Sequence, residues 1–316
     1  MENYDELTNR IAKRFTHLKK WAKRNSINCF RIYNKDLGNF PLILDWYDGD
    51  ALVWLYNRKK DETDAQKEQF KENAIASIYS ALNIPEKALH IKQRRRQTGL
   101  SSQYEKNSHQ EYRKIIQEGN LKFEVNLSDY LDSGLFLDHR NTRNMFRKMA
   151  EGKRILNLFA YTGSFTCYAI DGGATSTTSV DMNKNYGEWI KRNLALNGFD
   201  HRKSDRVITD NCLSFIKLEA ARNRYDLIIC DPPTFSNSKN MKTTFSIDKD
   251  YPDLLKSCIK LLSPSGTLIF STNSRNFSLD AAKLPPKVQL DSLTHKTVPE
   301  DFKSQKSHQC WMINLR

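Results

Sequence analysis

The sequence contains no CxxC pair and no cysteine–histidine spacing typical of a zinc site, although it has six cysteines. Most of these cysteines lie inside apolar runs such as "FTCYAI" and "KSCIKLL", which predicts small core residues in a reduced, cytoplasmic protein. No apolar run approaches the length of a membrane span, and the charged N-terminus has no signal-peptide core. We therefore expect neither a bound metal nor a membrane contact.

Acidic residues are outnumbered by basic ones, with 37 Asp and Glu against 50 Lys and Arg and a formal net charge of +13. The basic excess is spread along the whole chain and is not confined to a tail. A distributed positive charge favours a broad contact surface for a polyanion such as nucleic acid.

The first 95 residues predict a small α+β domain. Its elements are a helix over 5–24, three strands, a helix over about 64–83 and a last strand, and Asp48-Gly49 predicts a tight hairpin between two of the strands. We assign RNA binding to this domain, with Arg94, Arg95 and Arg96 as candidate contacts. Residues 96–140 predict a basic linker followed by a strand pair, which we place within 121–140.

From about residue 141 the pattern changes to alternating strands and helices, which predicts one α/β domain over 141–316 with a mostly parallel, doubly wound sheet. The last two strand-like runs, "KVQLDSL" and "CWMINL", predict an antiparallel pair at one edge of this sheet. Ligands of such sheets bind at the carboxyl ends of the strands, so the residues that follow each strand are the candidates for a site.

Four of these strand ends carry polar or glycine-containing turns. Gly163 follows the first strand, but a dinucleotide-binding protein would have G-x-G-x-x-G there to hold a pyrophosphate. Asp181, Asp210-Asn211 and Asp231-Pro232 follow the next three strands, and acidic residues there can accept ribose hydroxyls or meet an adenine edge. A ligand with a ribose and a carboxylate but no phosphate fits better, and S-adenosylmethionine (SAM) is such a ligand.

Four motifs, in order, are "GLFLDHR", "NLFAYTGSFT", "STTSVDMNKNYGEWIKRNLALNG" and "DPPTFSNSK". In this order and spacing the chain resembles 23S rRNA methyltransferases of the RlmK type, which form the C-terminal half of the bifunctional RlmKL enzymes. "LKKWAKRNSINCFRIYN" and "IKQRRRQTG" extend the resemblance over essentially the whole chain, without the RNA-binding THUMP module and the guanine-N2 domain of the other half. The resemblance implies a stand-alone RlmK.

The resemblance also implies a class I methyltransferase fold, SAM as cofactor and transfer to guanine N7 of 23S rRNA. It places Asp138 and Arg140 of "LDHR" near the cofactor. The cofactor-binding set expected from the motifs and strand ends is Phe136, Asp138, Arg140, Asn157, Phe159, Tyr161, Thr162, Gly163, Asp181, Met182, Asp210 and Asn211. The expected catalytic set is Asp231, Pro232 and Phe235.

The chemistry of the "DPPTF" loop restricts the base atom independently. Methylation of cytosine C5 requires a cysteine nucleophile. The segment "FSTNSRNF", at the end of the fifth predicted strand of the sheet, has none. Cys230 precedes Asp231 and should point into the sheet by strand alternation. The loop therefore leaves guanine N7 and an exocyclic amine such as guanine N2 open, and the resemblance favours N7. A non-catalytic protein that binds SAM and RNA in ribosome assembly is the alternative of another class.

The substrate expected from these arguments is 23S rRNA, either free or within an assembly intermediate of the large subunit. Lys239 and Lys242 lie in the polar stretch after the loop and are candidate phosphate contacts. The sequence gives no oligomeric state.

Overall fold

The computed structural model describes residues 3–58, 62–94, 112–130, 132–220, 224–236, 244–303 and 307–315. The chain divides into two compact units, residues 1–133 and 134–316. The predicted domain limits at residues 95 and 140 stay predictions, and the hairpin after residue 111 falls in the first unit and contacts its sheet. In that contact the Asn28 N–H donates to the Gln117 carbonyl at 3.1 Å.

The first unit is a four-stranded sheet with two long helices and a separate hairpin. Its described elements are α1 (Tyr4–Arg24), β1 (Cys29–Asn34), β2 (Leu42–Tyr47), β3 (Asp50–Tyr56), α2 (Asp64–Leu82), β4 (Leu89–Arg94), β5 (Arg113–Glu118) and β6 (Leu121–Asn126). The sheet order is β1-β2-β3-β4, and β3 and β4 are parallel. The small α+β architecture predicted from the sequence is confirmed.

Local sequence explains most of the first unit. Asp48 and Gly49 both adopt positive φ and join β2 to β3 in a two-residue hairpin, as the Asp-Gly pair predicted. Helix α1 buries Leu7, Ile11 and Leu18 on one face, in a cluster with residues of α2 and the sheet.

The strand pair predicted within 121–140 lies earlier, so that prediction was wrong. Strand β5 falls inside the predicted linker and pairs with β6 across a turn at Gly119, whose φ is +65°. Of the six β5 residues only Ile116 and Glu118 are buried, so the strand has too few apolar residues to stand out from a polar linker. Residues 95–111, which include the first part of that linker, lie outside the described residues.

The second unit is built around a seven-stranded sheet. Its helices are α3 (Arg140–Lys148), α4 (Ser164–Asp171), α5 (Lys184–Leu196), α6 (Cys212–Glu219), α7 (Ile247–Lys260) and α8 (Thr294–Thr297). Its strands are β7 (Arg154–Leu158), β8 (Ser176–Asp181), β9 (Asp205–Thr209), β10 (Tyr225–Cys230), β11 (Phe235–Ser236), β12 (Phe245–Ser246), β13 (Leu262–Thr272), β14 (Val288–Ser292) and β15 (Gln309–Leu315).

The strand order of this sheet is β14-β15-β13-β10-β7-β8-β9. The five strands from β13 to β9 are parallel, whereas β15 runs antiparallel to both β13 and β14. The predicted fold class and its antiparallel edge pair are thus confirmed. The chain reverses its direction of travel across the sheet between β7 and β10, so the carboxyl ends of these two strands flank the switch point.

The six cysteines are all free and buried, as predicted. Cys230 ends β10 and packs in the apolar core of the second unit, so its side chain points into the fold. Within the described residues, no helix combines the length and the apolar character needed to cross a bilayer.

Candidate active site

Four loops meet at the carboxyl edge of β7, β8, β9 and β10. The candidate cofactor-binding and catalytic residues that follow these strands were predicted to lie here. The loop after β7 has an unusual backbone, because Phe159, Tyr161 and Gly163 have φ of +58°, +50° and +77°. Phenylalanine and tyrosine rarely adopt this region, and such strain persists only where the surroundings fix it. A strained backbone at a strand end next to polar side chains indicates a functional loop.

Gly163 is required by its conformation and by its neighbour. A Cβ built on Gly163 would lie 2.8 Å from Cγ2 of Ile190, a buried residue of α5. The preceding Thr162 is fully buried, and its hydroxyl donates to the Gly134 carbonyl at 2.6 Å. Asn193 of α5 donates to the Thr162 carbonyl at 2.9 Å. Helix α5 and the segment before α3 therefore hold this loop from two sides.

Asp181, at the end of β8, is bound to the loop after β7. Its Oδ2 accepts from the Tyr161 N–H at 2.9 Å, and its Oδ1 accepts from the Asn183 N–H at 2.9 Å. Burial raises the pKa of Asp181 to about 6, although these N–H donors act in the opposite direction. Met182 follows and is half-buried. Each carboxylate oxygen has a further lone pair, so Asp181 can still accept from ligand hydroxyls.

Asp210 and Asn211 follow β9 and lie at the N-terminus of helix α6. Asn211 caps α6, with its Oδ1 accepting from the Leu213 N–H at 2.9 Å. Asp210 Oδ1 accepts from the Asn211 N–H at 2.7 Å, and the Asp210 N–H donates to the Asp181 carbonyl at 3.1 Å. Asp210 thus lies beside Asp181.

Asp231, at the end of β10, is held by a residue that the sequence reasoning did not assign to the site. The Ser271 hydroxyl, on β13, donates to Asp231 Oδ1 at 2.6 Å. His139 Nε2 lies 3.5 Å from the other oxygen, Oδ2. About a fifth of the Asp231 side chain (21%) is exposed, so a ligand can reach it. Ser271 could have been predicted from the sequence, because it lies on β13, the parallel strand next to the end of β10 that carries Asp231.

The rest of the predicted catalytic loop follows from β10 into a short hairpin. Pro232 is buried, and Phe235 is half-buried in β11, where it pairs with Ser246 of β12. Residues 237–243, which include Lys239 and Lys242, lie outside the described residues. Phe235 lies four residues after Asp231, at the same carboxyl edge of the sheet.

The "LDHR" segment lies in a 3-10 turn, Leu137–His139, and the start of α3. Asp138 Oδ2 lies 3.3 Å from His308 Nδ1, and Arg140 forms a buried ion pair with Asp301 at 2.8 Å. The Arg140 guanidinium is thus engaged inside the protein. Phe136, just before the turn, contacts Tyr161, with 5.0 Å between ring centroids.

Asn157 lies in β7 rather than in the loop that follows it. It is buried, and its Nδ2 donates to the Thr166 hydroxyl at 2.9 Å. That hydroxyl is 2.7 Å from the Ser179 hydroxyl of β8. The Asn157 side chain therefore joins strand and helix inside the domain.

Asp138, His139 and His308 bring three potential metal ligands within 4.8 Å of one another. Their orientation does not fit one ion, because the imidazole rings are stacked at 4.3 Å with an interplanar angle of 22°. Imidazole lone pairs lie in the ring plane, and nearly parallel planes do not converge on one ion at bonding distance. Both nitrogens of His308 also have partners, in Asp138 and Thr297.

The predicted RNA contacts are only partly within the described residues. Arg94 is the last residue of β4, in the first unit. Arg95 and Arg96 lie outside the described residues, as do the two lysines of the second unit. These five assignments remain predictions.

A family model for S-adenosylmethionine-dependent methyltransferases matches residues 31–285. The chain belongs to this family. Its cofactor is therefore SAM, as expected from the single-glycine turn and the acidic strand ends.

Two curated relatives carry the same name. The chain is 42% identical to the ribosomal RNA large subunit methyltransferase K/L of Methylococcus capsulatus, over 99% of this chain and 42% of the relative. It is also 42% identical to the enzyme of that name from Vibrio cholerae, over 98% of this chain and 43% of the relative. The chain thus spans less than half the length of the curated relatives it matches.

Solved structures support the fold over the full length. SMU.776, solved as a complex with SAH, has a TM-score of 0.75 at 25% identity and covers 98% of this chain and 82% of its own. The complex of aTrm5 and tRNALeu has a TM-score of 0.57 at 14% identity, with coverage of 94% and 77%, and supports the fold alone.

Proposed function

We propose that this methyltransferase transfers a methyl group from SAM to N7 of a guanine in 23S rRNA of the large ribosomal subunit. The name of the matched relatives supports the substrate class, and the net charge of +13 agrees with a nucleic-acid partner. SAM supplies an electrophilic methyl group on a sulfonium. The observation that restricts the base atom is Asp231 held by Ser271, without a reactive cysteine, at the end of β10. It argues against cytosine C5, and the resemblance to RlmK-type enzymes favours N7 over an exocyclic amine.

Cytosine C5 is a poor fit because no cysteine is available to add to the ring. The residue beside Asp231 on β13 is Ser271. All six cysteines are buried, and burial raises the pKa of Cys230 well above that of an ordinary thiol. A protonated, buried thiol does not form the covalent adduct that C5 chemistry needs.

Guanine N7 places few demands on the protein. Its in-plane lone pair is available at neutral pH, so no general base is required. The protein must exclude water and align N7 with the methyl group for in-line attack. Since N7 of a paired guanine faces a deep groove that side chains cannot enter, the target guanine must be unpaired or flipped out.

Asp231 and Phe235 have the chemistry to select and hold this base. In this proposal Phe235 stacks on the purine ring, and the Asp231 carboxylate accepts from the guanine N1–H or amino group. Adenine has no hydrogen at N1 and is therefore rejected. Pro232 restricts the backbone between these two residues.

The strand-end loops are proposed to bind SAM. The φ of +77° at Gly163 gives the loop after β7 its turn into α4, and the absence of a Cβ lets the loop pack against Ile190. Asp181 would accept the ribose hydroxyls of SAM, and Asp210, Asn211 and Met182 would contact its adenine. The remaining proposed contacts are Phe159, Tyr161 and Thr162 of the loop after β7, together with Phe136, whose ring contacts Tyr161.

Asp138, Arg140 and Asn157 are proposed to support the cofactor site from inside the domain. The Arg140 guanidinium pairs with Asp301, and the Asn157 amide donates to Thr166. These side chains shape the loops that surround the cofactor.

The test is methyl transfer from labelled SAM to 23S rRNA transcribed without modifications, followed by nucleoside mass spectrometry. We expect 7-methylguanosine. A large-subunit precursor particle, tested in parallel, distinguishes free rRNA from an assembly intermediate as substrate.

A peak of N2-methylguanosine would show that the Asp231 loop acts on an exocyclic amine and would overturn the assignment of N7. SAM binding without any methylated nucleoside, on either substrate, would favour the binding-protein alternative. Asp231→Asn is the variant to assay beside the wild-type protein, because it preserves the size of the side chain and replaces the carboxylate with an uncharged amide.

A further inference from the structure

His139 is a buried histidine whose hydrogen-bonding capacity is unused within the described part of the chain. Its side chain is 1% exposed, and neither Nδ1 nor Nε2 has a hydrogen-bond partner there. Burial lowers the pKa of His139, so the ring is neutral and carries one N–H. A buried N–H without an acceptor is costly, and such groups are rare in folded proteins.

The Asp231 carboxylate is an acceptor close to one nitrogen of this ring. Nε2 lies 3.5 Å from Asp231 Oδ2, slightly beyond the distance of a good hydrogen bond. Hydrogen bonds in active sites without substrate are often long and shorten when the reacting complex forms. The other carboxylate oxygen already accepts from Ser271 at 2.6 Å.

The ring of His139 is held in this orientation from both sides. It stacks on His308 at 4.3 Å and meets Phe165 edge-on at 5.9 Å. His308 is itself fixed, with Nδ1 3.3 Å from Asp138 and Nε2 3.0 Å from the Thr297 hydroxyl. The imidazole therefore has little freedom to turn away from Asp231.

We propose that His139 is a positioning residue that, together with Ser271, fixes the plane of the Asp231 carboxylate for the target base. Ser271 holds Oδ1, and the His139 Nε2–H holds Oδ2 when the base is bound. The outward lone pairs of the carboxylate then point to the guanine edge. This inference rests on the proposed function for the role of Asp231, but the coupling of His139 to Asp231 is independent of which base is methylated.

A double-mutant cycle tests the coupling. His139→Phe keeps a ring between His308 and Phe165 and removes the N–H. We expect kcat for methyl transfer to fall by roughly 10- to 100-fold, the scale of a small displacement in an active site, with the SAM dissociation constant unchanged. In an Asp231→Ala background, which has no side-chain acceptor, the same substitution should have no further effect on kcat.

Two additional variants keep the test informative if His139→Phe folds poorly. His139→Gln retains an N–H donor and should recover part of kcat relative to His139→Phe. Ser271→Ala should also lower kcat in the wild-type background and have no effect with Asp231→Ala. Ser257→Ala is the control, because its hydroxyl donates to the Asp253 carbonyl within α7, and it should leave kcat unchanged.

Independent losses that multiply in the double variant would overturn the proposal, as would full activity of His139→Phe. The cycle compares rates for whichever nucleoside the wild-type enzyme methylates. A product other than 7-methylguanosine therefore overturns the proposed function and leaves the cycle interpretable. Absence of any methyl transfer by the wild-type enzyme overturns both.

Discussion

The backbone N–H of Tyr161 donates a hydrogen bond of 2.9 Å to Oδ2 of Asp181, which ties the strained loop after β7 to the end of β8. Tyr161 has a φ of +50°, and the hydrogen bond helps to hold this unfavourable conformation. The loop and the carboxylate therefore form one unit, so that a change in the charge of Asp181 also affects the loop that is proposed to surround the cofactor.

The affinity for SAM should depend on pH through Asp181. Its pKa is raised to about 6, so the carboxylate is ionised at pH 7 and largely protonated at pH 5. The ionised form accepts both ribose hydroxyls, and the protonated form has lost acceptor capacity. If only the ionised form binds, the SAM dissociation constant rises about tenfold from pH 7 to pH 5.

Isothermal titration across this range measures the effect. Asp181→Asn should bind weakly at every pH and show no such trend. A dissociation constant that is flat in the wild-type protein would contradict the role of Asp181.

Gly163→Ala should destabilise the fold and weaken SAM binding. The new methyl group would lie 2.8 Å from Ile190, and φ is +77°. Gly198→Ala is a matched control with a φ of +71° and no atom within 4 Å of its Cβ. The control isolates the backbone penalty of about 1–2 kcal/mol, and Gly163→Ala should lose more free energy of unfolding than this.

Denaturant unfolding and SAM titration of both variants check this prediction. Combining Gly163→Ala with Ile190→Ala should cost less than the sum of the two changes, because the second removes the clash. Equal destabilisation by the two glycine variants would show that the contact with Ile190 is unimportant.

Phe235→Ala and Asp181→Ala should separate turnover from cofactor binding. Loss of the stacking ring should lower kcat by roughly 10- to 100-fold and change SAM affinity little, whereas loss of the carboxylate should do the reverse. Steady-state kinetics and a SAM titration on each variant provide the comparison. Phe235→Tyr keeps the ring and should retain most of kcat. Parallel losses of kcat and SAM affinity in either alanine variant would argue against the assigned roles.

Asp301→Ala should be strongly destabilising, since it leaves the Arg140 charge buried. The pair is 2.8 Å long with side-chain exposures of 6% and 0%, so we expect a loss of about 3–5 kcal/mol. Arg154→Ala is the control, because Arg154 pairs with Asp226 while half of its side chain (50%) is exposed, and it should cost about 1 kcal/mol or less. Similar melting temperatures for the two variants would contradict the importance of burial.

Periodicity and turn chemistry were sufficient to predict most elements of the fold. The apolar run "YDLII" is strand β10, and the Asp-Gly pair is the β2–β3 hairpin. The two last apolar runs form the edge pair β14–β15. These signals are local, because burial of one face or of a whole strand imposes a pattern on consecutive residues.

Strand β5 was missed because its partner, not its own sequence, makes it a strand. It pairs with the more apolar β6, and two of its six residues are buried. Such a strand is stabilised by cross-strand contacts, and these impose only a weak hydrophobic pattern on its own polar sequence.

Local residue patterns were enough to predict the alternating sheet, the single-glycine turn and the acidic strand ends, and these point to a SAM-dependent methyltransferase. The surroundings of Asp231 and Arg140 became visible only in the folded chain. Ser271 lies 40 residues from Asp231, and His308 and Asp301 lie 170 and 161 residues from Asp138 and Arg140. Side-chain pairs so far apart depend on the packing of whole elements, which local patterns do not encode.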